Sequence, residues 1–390
     1  MMPGLVGYTL NTSMVLNEQE QRKIIPVASG KGGVGKSIVA ANLGVLLASY
    51  GKRVVLIDLD LGGSNLHTYL GIKNRNAGIG NFVQQRDMDF NKMLVDTPYR
   101  NVKFVAGDVL VTGTANLNQS ERQLVTRNIQ KIDADYVILD LGSGTSLNVV
   151  DFYLLSNTAL MVTTPQTPSI LNAYSLMKNA TFRHLQRTFT RPRPVANYLK
   201  DIVRDKTPGA TPTIAEILDH IHDLDRKAGE NATAELGRLH PYVVVNMADS
   251  PDDMDIAEEL RNLIFRNLQV DVGCLGLVFN DREVAQSVRK LQPVAVANRE
   301  ALAAKQIERM AQKILQSPRF PVMPLDYSEY ESSFGLARIE GQNDFVELED
   351  KPAPQSAQIS HDDFMQIIAA QQKKIEELKG TVRMLSLNKR

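Results

Sequence analysis

The chain has 390 residues, 43% hydrophobic and 23% charged, the composition of a globular protein long enough for one large domain or two smaller ones. Its 44 basic and 44 acidic residues cancel, so no overall field holds it on nucleic acid or on an acidic membrane. A single cysteine, Cys274, excludes an intramolecular disulfide and any Cys-x-x-Cys metal or cluster site, and a cytoplasmic location fits.

Residues 1–22 read as an N-terminal extension without the basic start and unbroken apolar core of an export signal. No later stretch approaches the roughly 18 apolar residues of a membrane span, so the expectation is a protein neither exported nor integral. From 23 to 316 short apolar runs alternate with helical patterns, which predicts an α/β fold with a doubly wound, mostly parallel sheet. Strands are expected at KIIPVAS, RVVLID, VKFVAG, YVILD, ALMVTT, YVVVN and VGCLGLV, continuous Val/Ile/Leu runs of the kind buried on both faces. IVAANLGVLLASYG between the first two reads as a helix with Gly51 as its stop. Residues 182–240 form a polar interval, with RPRP and KTPGATP as breakers and TIAEILDHIHDLDRKAGENATAELGRL as helix, and read as a helical insertion. Residues 317–360, with SPRFPVMP and KPAPQSAQ, read as an extended linker before a C-terminal helix over 361–390.

GKGGVGKS lies directly after the first apolar strand and directly before the first helix. Gly30, Gly35, Lys36 and Ser37 satisfy the phosphate-loop pattern, whose backbone N–H groups and helix start face a triphosphate. The predicted binding loop is therefore Gly30, Lys31, Gly32, Gly33, Val34, Gly35, Lys36, Ser37 and Ile38, for a nucleotide triphosphate with Mg²⁺. Lys36 is expected at the β- and γ-phosphates and the Ser37 hydroxyl at magnesium. YVILD ends on Asp140, a candidate magnesium carboxylate, and Gly144 four positions later offers a backbone N–H to the γ-phosphate. VVLIDLDLGGSN places Asp58 and Asp60 just beyond the second strand, one to orient the attacking water and the other to hold magnesium's water shell. Lys31 has no inward role left once Lys36 has taken it, and so is available to a second subunit's phosphate.

KGGVGKS resembles the deviant Walker A motif of the MinD/ParA ATPases, and the resemblance extends over about residues 23–316. It implies that Lys31 contacts the nucleotide of the partner monomer, so that Lys31, Lys36 and Asp60 form the catalytic set. DLDLGGSN, DLGSG and VTTPQTPSILNAYSLMK resemble the MinD and FlhG side of the family more than the plasmid ParA side. On that resemblance Asp60 positions the hydrolytic water, Ser37, Asp58 and Asp140 serve magnesium, Asn246 of VVVNMAD recognises adenine, and LVFNDREVAQSVRKLQPVAVAN closes over the base. Departures are His67 where an Asp is common, Ile38 where a Thr is usual, Gln166 in place of an acid, and no Asp-Gln-Ala motif of the kind FlhG uses on its partner FlhF.

Phe364, Ile368, Gln371, Ile375, Leu378, Val382 and Leu385 alternate spacings of four and three, a heptad seam for a coiled-coil or amphipathic helix. Lys373, Lys374, Lys379 and Arg383 offer it a membrane role that Glu376 and Glu377 oppose. Arg183, Arg187, Arg191, Arg193, Lys200, Arg204 and Lys206 form a basic run that reads first as a solvated face and second as a DNA or acidic-protein contact. Cys274 reads as a small core residue. The expected protein is a cytoplasmic ATPase of the MinD/FlhG type, recruited to a pole or membrane-associated site. As an ATP-state homodimer it positions or counts a flagellum, pole or division machinery through an unknown protein partner. A ParA-like DNA-partitioning ATPase and an ATP-binding scaffold without significant hydrolysis are the alternatives.

Overall fold

The computed structural model describes residues 22–73, 77–85, 88–107, 116–205, 212–316 and 327–349, with side chains in the last helix from 333 to 346. Two compact units divide the chain, Met1–Asp344 and Phe345–Arg390. The sheet and the candidate site belong to the first. The seam over 361–390 and Lys206 lie outside the described residues, as does the N-terminal extension apart from Arg22.

The seven apolar runs become strands β1 (Lys23–Ser29), β2 (Val54–Leu59), β4 (Val102–Val105), β5 (Tyr136–Ser143), β6 (Leu160–Thr163), β7 (Tyr242–Ala248) and β8 (Gly273–Phe279). An eighth strand, β3 (Val95–Asp96), is two residues long and has no apolar run to announce it. The sheet order is β3-β4-β2-β5-β1-β6-β7-β8, and only the β3–β4 pair is antiparallel. β1 lies between β5 and β6, so the chain leaves it toward β2 on one side and later fills β6, β7 and β8 on the other. That reversal opens a crevice at the carboxyl ends of β1 and β5, where open α/β sheets bind their ligands.

The helices are α1 (Lys36–Ser49), α2 (Leu66–Tyr69), α3 (Ile79–Gln84), α4 (Gln119–Ile129), α5 (Leu147–Tyr153), α6 (Thr167–Thr188), α7 (Arg193–Arg204), α8 (Ile214–Leu224), α9 (Arg226–Leu236), α10 (Met254–Leu268), α11 (Arg282–Arg289), α12 (Val294–Ala297), α13 (Leu302–Gln316) and α14 (Tyr327–Glu349). α1 and α13 pack on each other, and α6 packs with α5, α9 and α10. α1 is buried along nearly its whole length, which explains a helix sequence with almost no polar face. Among the described residues no helix is long and apolar enough to cross a membrane.

Two expectations are revised. The single helix expected from Thr213 is two, because Asp225 adopts extended backbone (φ −159°, ψ 110°) and its carboxylate accepts from the Ala228 N–H at 2.9 Å, ending α8 and capping α9. Residues 327–349, within the expected linker, are helical, and Phe334, Ala337 and Asp344 are buried.

Candidate functional site

The loop between β1 and α1 owes its path to glycine. Gly33 (φ 82°) and Gly35 (φ 85°) are left-handed, where a side chain is strained, and a Cβ on Gly30 would stand 2.1 Å from the Asn172 backbone of α6. Gly35 caps α1 without a side-chain acceptor, and the first turn carries no acid, so neither a cap side chain nor a first-turn acid competes for the anion-seeking N–H groups there. Asn246 braces the loop from β7: its Nδ2 donates to the Val34 carbonyl at 2.8 Å. It is aimed there by an irregularity at Met247, which has φ 57° and interrupts the β7–β8 register. Of the amide groups expected to read adenine, one N–H is thus engaged with the loop.

Lys36 and Asp140 meet at the bottom of the crevice, Nζ to Oδ1 2.8 Å, with side-chain exposures of 8% and 1%. Ser37 Oγ lies 3.5 Å from the same ammonium. Burial raises the Asp140 carboxyl, an effect that Lys36 opposes. β2 and β5 run in register, so Asp58 sits directly opposite Asp140. Burial, and then the Asp140 charge, push Asp58 up to about 7. Its Oδ1 accepts from the Asp60 N–H at 3.0 Å, and its Oδ2 from Ser64 Oγ at 2.6 Å and the Leu66 N–H at 3.1 Å. Asp58, expected at magnesium, is therefore fully buried and tied into its own loop, which it folds so that Asp60 faces Gly142. A Cβ on Gly142 would come 3.4 Å from Asp60 Oδ1.

Gly144 is left-handed (φ 89°), and its N–H donates to the Ser29 carbonyl at 2.9 Å. The amide expected to meet a γ-phosphate is thus bonded to the start of the phosphate loop, which corrects the simple reading of a free donor. Lys31, Gly32 and Gly33 are exposed and Ile38 is half-buried. Among the described residues the Lys31 side chain makes no hydrogen bond or ion pair. Its carbonyl accepts from Ser29 Oγ at 2.9 Å.

Three contributors escape sequence reasoning. Ser64 holds Asp58, Ser29 holds Gly144 and the Lys31 carbonyl, and Asn42 bridges the Ile38 carbonyl to the Ala295 N–H of α12 (2.8 and 2.9 Å). Asn65, four residues past Leu61, caps nothing with its side chain, so the polar cluster after Asp60 gives no local sign of which member matters.

The basic run is divided. Arg183 donates to Asp151 of α5 from Nε (2.7 Å) and Nη2 (3.1 Å), Arg122 of α4 reaches the same carboxylate at 2.8 Å, and Arg187 reaches the Asp151 carbonyl at 3.4 Å. Arg191, Arg193, Lys200 and Arg204 stay exposed. Cys274 is buried in β8, as expected, and burial pushes its thiol up to about 12. Among the described residues no three His, Cys, Asp or Glu side chains converge as a metal cage.

A family model described as ParA, NUBPL iron-transfer P-loop NTPase, matches residues 20–185. The septum site-determining protein MinD of Helicobacter pylori is 32% identical over 148 residues, covering 38% of this chain and 54% of that protein. MinD of Bacillus subtilis is 27% identical over 198 residues, covering 50% and 72%. The chain thus spans little more than half the length of the first of these relatives. Among solved structures, MinD of Pyrococcus horikoshii complexed with Mg-ADP aligns with a TM-score of 0.51 at 18% identity, over 76% of this chain and 96% of that one. A ParA family ATPase of Chlorobium tepidum aligns with a TM-score of 0.51 at 17% identity, over 75% and 98%. At these identities the structural likeness is one of fold.

Proposed function

We infer a MinD-like ATPase, from a chain whose residues 20–185 match the ParA family model and which has MinD proteins among its relatives. It binds ATP with magnesium, pairs with a second copy while the γ-phosphate is present, and through that paired state engages a partner that places or counts a cellular structure, such as the division machinery, a pole or a flagellum. The observation that carries this reading is the buried Lys36–Asp140 pair beneath a glycine loop whose helix-start amides have no side-chain acceptor.

In this reading Lys36 and the loop amides bind the phosphates, and Asn246 lies beside the base with its remaining polar capacity. The residues fit magnesium: Ser37 offers a hydroxyl, and Asp140 offers a carboxylate that a polyphosphate frees by taking Lys36. Bound there, the ion neutralises phosphate charge. Asp58 serves the site through the loop it anchors. Asp60, at the mouth of that loop over Gly142, orients the attacking water. Lys31, exposed on the loop, serves a second chain's phosphate in this reading, so loss of the γ-phosphate removes the charge that joins the two copies.

The iron-transfer description belongs to the matched family. A cluster held between subunits takes exposed thiolates, and the one cysteine of this chain is a buried thiol. A DNA-partitioning role retains only the exposed part of the basic run, since Arg183 and Arg187 are turned inward to Asp151.

Lys31 supplies the test. With Asp60→Ala to suppress turnover, ATP and magnesium should drive the full chain into a dimer seen by light scattering. Adding Lys31→Ala should leave one ATP bound per chain and no dimer. Equal dimer formation by both proteins would remove Lys31 from the interface and with it the switch.

A further inference from the structure

α14 lies between α10 and α13, over the outer edge of β8. Three backbone groups of β8 are met by side chains: Cys274 N–H donates to Ser333 Oγ at 3.0 Å, Lys313 Nζ donates to the Leu275 carbonyl at 3.1 Å, and Phe279 N–H donates to Gln306 Oε1 at 2.9 Å. Phe334 and Ala337 are buried, and Gly341 admits the helix where a Cβ would stand 2.9 Å from Leu277 Cδ2. Arg338 reaches Asp255 and Glu258 of α10, and Glu340 reaches Lys313 of α13. Ser333 is level with the start of β8 and Asp344 with its last residue. α14 therefore runs toward the carboxyl ends of the parallel strands, the side that holds the phosphate loop.

Asp344 ends this contact on a buried relay. It accepts from Gln306 Nε2 at 2.8 Å and from both terminal nitrogens of Arg309, and Gln306 is 1% exposed. The Gln306 amide has one workable orientation, oxygen to Phe279 N–H and NH₂ to Asp344. Phe279 precedes Asn280, whose N–H donates to the Ala248 carbonyl at 2.8 Å. It also precedes Asp281, which caps α11 through the Glu283 N–H and holds the Ala303 N–H. Two residues before Ala248 is Asn246, paired in register with Val278 and bonded to Val34 of the phosphate loop.

We propose that Asp344 is a positioning residue for the nucleotide site, and that docking of α14 and binding of nucleotide are thermodynamically linked. The inference rests on the nucleotide-binding reading above. Without the carboxylate, Gln306 keeps an unpaired NH₂ in a dry site or turns and abandons Phe279, and the ends of β7 and β8 lose the constraint that holds Asn246 against the loop. Linkage is reciprocal, so nucleotide that fixes the loop also tightens α14.

The full chain tests this by hydrogen exchange over residues 333–344 with and without Mg-ATP, and by ATP calorimetry on the parent, Asp344→Ala and Asp344→Asn. Nucleotide should slow exchange in that segment of the parent. Asp344→Ala should weaken ATP by about 10-fold, the usual scale of such coupling. Asp344→Asn should recover most of the loss, because its carbonyl still accepts from Gln306. If the parent binds ATP while exchange over 333–344 does not change, or if Asp344→Ala binds ATP as the parent does and only melts earlier, the helix merely stabilises the edge: the linkage falls and the nucleotide site stands. A parent that binds no nucleotide overturns both.

Discussion

Lys36 is a lysine that the fold has desolvated and then given one carboxylate partner. Its loss removes the main positive charge in the crevice and leaves Asp140 to protonate or to disorder the strand end. Lys36→Ala should weaken ATP by at least about 100-fold, or about 2.7 kcal/mol, in a calorimetric titration. Near-normal affinity would place the phosphates elsewhere. Cys274 gives a second test at this scale. Burial disfavours the thiolate and pushes this thiol up to about 12, so near neutral pH almost none of the reactive form is present. Ellman's reagent should find almost no thiol in the native chain and one equivalent in denaturant. One fast equivalent under native conditions would show that β8 is open at that point.

α5 is the element whose role sequence reasoning missed most completely. It starts at Leu147, just past Gly144, and one carboxylate on it gathers Arg122 from α4 and Arg183 from α6. Arg122 has 10% of its side chain exposed, so Asp151→Ala strands a buried guanidinium and should cost about 3 kcal/mol in urea unfolding. A cost below about 0.5 kcal/mol, the scale of a surface pair, would mean that water replaces the carboxylate. No sequence period links residues 122, 151 and 183, which is why a basic run alone read as a solvated face. The strands were legible for the opposite reason: β1, β2, β5 and β8 are buried on both faces, so burial writes itself as an unbroken apolar run. α14 hides by the same logic. Its inward positions Phe334, Ala337, Gly341 and Asp344 keep helical spacing, but two are small and one is an acid that finds its arginine only in three dimensions. The phosphate loop needs no such context, because the glycines and Lys36 that make it are adjacent in the chain. The duties of Asp58, Gly144 and Asn246 depend on partners 8, 115 and 212 residues away, and one strand's neighbour cannot be read from another's composition.

For the whole molecule, every residue placed in the site lies before α14, and the α14 contacts described above lie between Ser333 and Asp344. Deleting residues 361–390 should therefore leave ATP affinity within about twofold, a shift of less than about 0.5 kcal/mol, by calorimetry. Loss of nucleotide on that deletion would mean that the last segment packs on the crevice. The parallel sheet sets the limits of what such a cut can disturb: its order brings β1 and β5 together from 113 residues apart at the register, and every strand among the described residues ends by Phe279.

Asp140 already serves Lys36 as its anion, so on the proposed reading a polyphosphate would reach this crevice by ion exchange. It would take the lysine and leave a carboxylate with 1% of its surface exposed without its cation. A divalent ion travelling with the polyphosphate would meet that need in the same event, and a bare polyphosphate would not. On that reading the crevice would select the metal complex over the free anion at the moment of entry, through the partner its lysine holds beforehand.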